Sequence, residues 1–300
     1  MSEPIDIIYL AYGAEGYQAY VRRFFDSYKT NAPRVSHRLI VVATAYSNNP
    51  SGYAELRQLS FENNAQIFDL SDGGHEFGAF HRAAKCLTAG YIFCFVTSGY
   101  IIKPNWLEVF LSASRENPQY RLIGSSGSWE TKYPGIWAAL KRRLDSRKFT
   151  FSVLPGTMPR TAQRHRSILP IIKRIFDFLF IYVRFPNYHV RTNGFLIERK
   201  LYVRYIEQYG IPRTRSDAHN IEHGPNHLSK FVQELGFNIG VVGTNGILYA
   251  PQEWDKSATF RCPDTSNAVI GDRQLDAYIE SETPEKKCLE QLAWGYTLTK

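Results

Sequence analysis

The feature that most constrains this chain is an alternation of short apolar β-rich runs with amphipathic stretches across its first hundred residues. Ile5 to Leu10, closed by Ala11-Tyr12-Gly13, reads as a buried strand ending in a turn. Val21, Phe24, Phe25 and Tyr28 then recur at helical spacing between residues 17 and 28. Arg38 to Ala43 is a second strand, residues 53–63 a second helix, and Ala65 to Leu70 a third strand. Strand, helix, strand, helix, strand predicts a parallel α/β architecture.

The third strand is followed by Ser71-Asp72-Gly73-Gly74, and Phe77, Phe80, Ala84 and Leu87 then fall on one helical face. A glycine-bearing loop entering a helix presents free N–H groups and the positive dipole end, which suits a diphosphate. Tyr91 to Val96 is a continuous apolar run of the kind buried on both faces of a parallel sheet. It delivers Thr97-Ser98-Gly99 to the carboxyl edge, where open α/β sheets bind ligands. Pro104-Asn105-Trp106 opens a helix over 107–115, Val190 to Ile197 reads as a returning strand, residues 226–235 as a helix closed by Gly236, and residues 238–243 as a further strand. Beyond Leu248 periodicity fades, and the pattern predicts loops with one closing helix over 284–294.

Three hundred residues, 44% hydrophobic and 14% aromatic, exclude a disordered or low-complexity chain. The four cysteines form no CxxC pair or zinc spacing, so neither a disulfide framework nor a metal site is expected from them. The start, Met-Ser-Glu-Pro-Ile-Asp, lacks the pattern of a secretory signal, and a cytoplasmic location follows as the expectation. The net charge of +8 is concentrated: residues 137–186 hold eleven Lys and Arg against Asp145 and Asp177, and the rest of the chain sums to −1. Such a block points to a local anionic partner.

The passage from Ala89 to Glu108, AGYIFCFVTSGYIIKPNWLE, resembles the nucleotide-sugar-dependent glycosyltransferases with the GT-A type fold, of the family-two-like kind. In that family an apolar strand ends in Asp-x-Asp and runs on to a proline and the start of a helix. The first strand with its Ala11-Tyr12-Gly13 end, and Asn193 to Arg199, sit in matching order. The resemblance implies an α/β, Rossmann-like, mixed and mostly parallel sheet flanked by helices, with a basic helical insertion. It divides the chain into a nucleotide-sugar-binding half (1–125), a basic aromatic-rich insertion (126–188) and an acceptor-side half with a closing segment (189–300), within one continuous domain. It implies transfer of a sugar from a nucleotide-sugar donor to a glycan or lipid-linked acceptor, with inversion. A non-catalytic module of the same fold, binding glycan or a partner enzyme, is the alternative.

Two departures shape the site. The metal-holding Asp-x-Asp is Thr97-Ser98-Gly99 here, which argues against bound Mg2+ or Mn2+, so no cofactor and no metal ligand is expected. The acidic pair that follows the second strand is also missing, since Val41-Val42 leads into Ala43-Thr44-Ala45. A cationic or helix-terminus clamp can take the place of a metal on the diphosphate, and Gly74, His75, His81 and Arg82 are the candidates nearest the glycine loop. With Ala11, Tyr12, Gly13, Thr97, Ser98 and Gly99 they make up the expected donor site. Inversion needs one carboxylate to take a proton from the acceptor hydroxyl. Ahead of the 226–235 helix stand Glu222 and Asp217, Glu222 first because Glu222-His223-Gly224-Pro225 forms a compact polar turn; capping a helix is its other available role. Asn193, His223 and Trp254 are the expected acceptor or sugar contacts, and the tail residues Tyr249, Ser257, Phe260, Asp272 and Arg273 could close over a sugar or dock the tail to the core.

The basic block carries no nucleic-acid-binding motif, so nucleic acid is not the expected partner. Its apolar stretch from Ile168 to Val183, broken by Lys173, Arg174 and Asp177, is too polar to cross a membrane and suits a helix lying on an anionic surface, or a core helix of a solvated insertion. The first of these makes the protein peripheral at the inner membrane face.

Overall fold

The computed structural model describes residues 5–70, 75–131, 183–212 and 215–299. The first half runs β1 (Ile5–Tyr12), α1 (Gln18–Thr30), β2 (His37–Thr44), α2 (Pro50–Glu62), β3 (Gln66–Leu70), α3 (His75–Cys86), β4 (Tyr91–Phe95), β5 (Tyr100–Ile101), α4 (Trp106–Glu116), β6 (Tyr120–Gly124) and β7 (Gly127–Ser128). The second half runs β8 (His189–Val190), β9 (Gly194–Glu198), α5 (Arg199–Tyr209), α6 (Arg215–His223), α7 (Leu228–Glu234), β10 (Asn238–Val242) and β11 (Leu248–Tyr249). A 3-10 turn (Pro251–Lys256), β12 (Ile270–Gly271), α8 (Arg273–Glu280) and α9 (Thr283–Trp294) complete it. The basic segment through residue 182, with its apolar helix candidate, and the loop residue Gly74 lie outside the described residues.

Local chemistry sets several boundaries. Asn49 caps α2 by accepting from Gly52 N at 3.0 Å with Pro50 at the first turn, so this helix begins three residues before the apolar periodicity does. At the far end, α9 opens on Pro284 and stops at Gly295, whose φ of 82° is open to glycine and strained for other residues.

Eight strands form one sheet in the order β11-β10-β6-β9-β4-β1-β2-β3. Pairs β1–β2, β1–β4, β2–β3 and β6–β10 are parallel, while β9 runs antiparallel between β4 and β6. This is the mixed, mostly parallel sheet that the sequence leads one to expect. Strands from both halves of the chain contribute to it.

Both faces are covered. On one, Ile8, Ile40, Ile92 and Cys94 pack with Phe77 and Phe80 of α3, Tyr202 of α5 and Phe231 of α7. On the other, Ile7, Tyr9, Phe93 and Phe95 pack with Phe24 of α1 and Trp106 and Phe110 of α4. Alternate residues of β1 therefore enter opposite cores, which is why it reads as an unbroken apolar run. The exception in β1 is Asp6, fully buried and held by Arg38 on its register partner position at 2.6 and 2.8 Å. Phe93 touches Phe95, Trp106 and Phe110 at centroid distances of 4.8 to 4.9 Å, and truncating such a residue costs about 3–5 kcal/mol.

The reversed direction of β9 positions the site. Gly194 pairs with Phe95, and Phe195 pairs with both Cys94 and Gly124. The residues just before β9 therefore emerge between the carboxyl ends of β4 and β6, beside the Thr97–Gly99 turn.

Candidate active site at the carboxyl edge of the sheet

The turn after β4 is tightly built. Gly99 N donates to Val96 O at 2.9 Å, and the buried Thr97 carbonyl accepts the Tyr9 hydroxyl at 3.0 Å. A Cβ at position 99 would stand 2.7 Å from Asn193 O and 3.1 Å from Val96 O, so only glycine fits. The turn itself offers a divalent cation no carboxylate: position 99 requires glycine, and Thr97 and Ser98 supply only hydroxyls.

Asn193 joins the turn to a second group of polar residues. Its side-chain oxygen accepts from Ser126 Oγ at 2.9 Å, and Arg191 Nη1 donates to the same Ser126 oxygen at 3.1 Å. Arg191 Nη2 donates to Asp272 at 2.6 Å, and its guanidinium lies 3.7 Å from the Phe260 ring centre. Asp272 also caps α8 by accepting from Gln274 N and Leu275 N. Arg261 also lies over Phe260, 4.9 Å from the ring centre, bonded to Glu130 at 3.1 Å and to Gln274 at 3.4 Å. Burial disfavours the charge on Arg261, and Glu130 opposes that effect.

Next to Asn193, Thr192 donates its hydroxyl to Glu222 Oε1 at 3.0 Å. The two residues line a small, partly open pocket with Phe77, Val190, Phe195 and Ser229. Glu222 lies in the last turn of α6 rather than in a free polar turn, and Gly224 and Pro225 make the break to α7. Asp217 is five residues earlier, about 140° round the helix axis, so the two acids do not share a face. His223 Nδ1 stands 3.9 Å from Glu222 Oε2, and its carbonyl accepts from Asn187 at 2.9 Å. Behind it, the His223 and His227 rings lie 5.3 and 6.2 Å from that of His189. Burial pushes His189 below its usual value and takes His227 down to about 3.

At the end of β1, Ala11 is buried and contributes its backbone, while Tyr12 is 38% exposed and meets Tyr17 edge-on at 5.0 Å. Gly13 continues the ladder to Thr44 at 2.8 Å with Tyr46 packed where a side chain would be.

The cation candidates near the glycine loop come out differently. His75 is the first residue of α3, which begins beyond the carboxyl end of β3, and Arg82 is half-buried further along this helix. His81 is 6% exposed, and neither ring nitrogen has a hydrogen-bond partner among the described residues. Burial, helped by Lys85, lowers its pKa, so the ring is neutral at pH 7 and lacks the charge that a diphosphate clamp needs. Trp254 is fully buried, pressed onto Gly127 with its N–H donated to Tyr249 O at 3.1 Å, so here it serves the core.

Sequence reasoning missed Ser126, Arg191, Thr192 and Arg261. For Arg191 there was a signal, a cation at the mouth of an apolar strand; Arg261 had none, since its place depends on how the tail folds back.

No protein-family model and no curated protein matches the sequence. Among solved structures, the chain is similar to CMP:2-keto-3-deoxy-manno-octonic acid synthetase complexed with CTP, at 10% identity and TM-score 0.42, covering 79% of this chain and 88% of that one. It is similar to glucosyl-3-phosphoglycerate synthase from Mycobacterium tuberculosis in complex with Mn2+, uridine diphosphate and glucosyl-3-phosphoglycerate, at 10% identity and TM-score 0.37, covering 66% and 58%. It is also similar to a mannosyltransferase from Pyrobaculum calidifontis in complex with GDP-Man and Mn2+, at 10% identity and TM-score 0.44, covering 95% and 67%.

Proposed function

We propose that this protein is an inverting glycosyltransferase that moves a sugar from a nucleotide-sugar donor to a hydroxyl of a glycan or lipid-linked acceptor without a divalent metal. The observation that carries this reading is the short path from the Thr97–Gly99 turn through Asn193 and Thr192 to Glu222, which places one carboxylate beside the carboxyl edge of the sheet. In the proposed step the acceptor oxygen attacks the anomeric carbon and Glu222 takes its proton. The bond from that carbon to the diphosphate oxygen breaks, and the nucleoside diphosphate leaves with the electron pair. Thr192 orients Glu222, and Tyr12 offers an exposed ring for the base.

Glu222→Gln tests the assignment, because it keeps the bond to Thr192 and removes the base. Release of nucleoside diphosphate should fall about 100-fold or more with donor affinity retained; unchanged turnover removes Glu222 from the mechanism. Among the described residues no helix is long and apolar enough to cross a membrane. Residues 137–186 are proposed to bring the enzyme to an anionic membrane face. Flotation with liposomes should then require anionic lipid and fade with salt, and a failure to bind at low salt would sink the idea.

A further inference from the structure

Arg261 is a charged residue whose surroundings do not satisfy it. Its residue is 8% exposed, its Nε has no hydrogen-bond partner among the described residues, and its two other nitrogens each make a single bond, one of them at 3.4 Å. Native structures rarely leave a buried guanidinium so thinly partnered. Its backbone is strained as well, with φ at 41°, a region that non-glycine residues seldom occupy. That conformation is held from outside, because Trp294 Nε1 donates to the Arg261 carbonyl at 2.8 Å. Two guanidinium groups lie over one aromatic ring. Arg191 is paired with the buried Asp272, whereas the carboxylate bonded to Arg261 is that of Glu130, whose side chain is 40% exposed and screened by water.

We propose that Arg261 is an anion clamp that binds the diphosphate of the donor, with Glu130 occupying the position until the ligand displaces it. The location supports this: Arg261 and Arg191 both lie over the Phe260 ring, and from Arg191 hydrogen bonds run through Ser126 to Asn193, whose carbonyl stands against the Thr97–Gly99 turn. A guanidinium presents paired donors that match phosphate oxygens, and a buried one neutralises charge on a leaving diphosphate in the place of a metal. Arg191, its charge already taken by Asp272, is a positioning residue on the same ring. The clamp rests on the donor reading given above, and the test separates the two.

Calorimetric titrations of the full chain in EDTA with UDP, GDP, CDP, ADP and inorganic pyrophosphate, with the corresponding nucleosides as phosphate-free controls, test it on three proteins: wild type, Arg261→Gln and Glu130→Gln. A nucleoside diphosphate should bind wild type, bind Arg261→Gln at least about tenfold more weakly and bind Glu130→Gln several-fold more tightly, with nucleoside binding unmoved. If both variants bind the diphosphate as wild type does, the clamp is overturned and the donor reading stands. Should pyrophosphate bind in an Arg261-dependent way while no nucleotide does, the clamp stands and the donor reading falls. Absence of binding by every phosphate compound overturns both. Glu130→Gln alters a half-buried side chain by one atom type only, so it decides the matter alone if Arg261→Gln fails to fold.

Discussion

His227 is the residue through which the structure makes its clearest statement about pH. It is 3% exposed and forms the N-cap of α7, its Nδ1 accepting from Lys230 N at 3.3 Å. The ring is therefore neutral with its proton on Nε2. Burial, then the nearby His189, His223 and Lys230, lowers its pKa from 6.5 to about 3. The unfolded chain accordingly binds a proton below pH 6.5 that the folded chain refuses, and stability falls as pH drops through the window from 6.5 towards 3. At pH 4.5, about two units inside that window, His227 alone removes about 2.7 kcal/mol relative to neutral pH. His189, also lowered by burial, acts in the same direction. His227→Asn keeps the cap, since Asn is among the best N-cap residues, and removes the titration. Urea unfolding followed by tryptophan fluorescence at several pH values between 7 and 4.5 should show the variant losing about 2–3 kcal/mol less than wild type over that range. Identical pH slopes for the two proteins would refute the reasoning.

Three more outcomes follow from the packing. Gly99→Asp should destabilise by at least about 1–3 kcal/mol in urea unfolding, because its Cβ meets two carbonyl oxygens, and it should not acquire Mn2+-dependent activity; a stable, Mn2+-dependent variant contradicts the account of the turn. Asp272→Asn leaves Arg191 buried without its counter-charge and should lower stability by about 3–5 kcal/mol, whereas the double change Arg191→Met with Asp272→Leu should lose less than the two single changes summed. Tyr12→Ala should weaken nucleotide binding about tenfold or more with little change in Tm, as expected for a base stacked on an exposed ring; equal affinity would place the base elsewhere.

Much of the architecture was legible from periodicity because the central strands are buried on both faces and read as unbroken apolar runs. β1, β2, β4 and β10 lie within one or two residues of where the sequence places them, and so do α1 and α4. The misses are instructive. β6 is five residues long with Arg121 inside it, reaching out to the Tyr91 hydroxyl and Glu198, so its apolar signal is diluted. The two-residue strands β5 and β12 carry no periodicity at all, and their pairing is a tertiary event between residues 100–101 and 270–271. α8 was read as loop because its apolar face is narrow, with only Leu275 and Tyr278 buried. Of the proposed site, the Thr97–Gly99 turn, Asn193 and Glu222 can be picked out in the sequence since they stand at strand and helix ends. Arg191 is signalled only as a cation at the mouth of an apolar strand, and nothing local announces that it and Arg261 will meet over the Phe260 ring. His81 misled for the converse reason: a polar letter near a glycine loop reads as surface, and only the packing of α3 shows that the ring is buried and neutral.

The central claim is that the carboxyl edge of this sheet holds a nucleotide-sugar without a divalent cation. Thermal unfolding of the full chain with a panel of nucleotide sugars and nucleoside diphosphates, each in Mn2+ and in EDTA, tests it most directly, since a ligand that binds only the folded state adds about 2.7 kcal/mol at a hundred times its Kd. The account predicts that one nucleotide class raises the Tm by several degrees and does so equally in EDTA. Stabilisation that vanishes in EDTA, or none from any nucleotide, would contradict it.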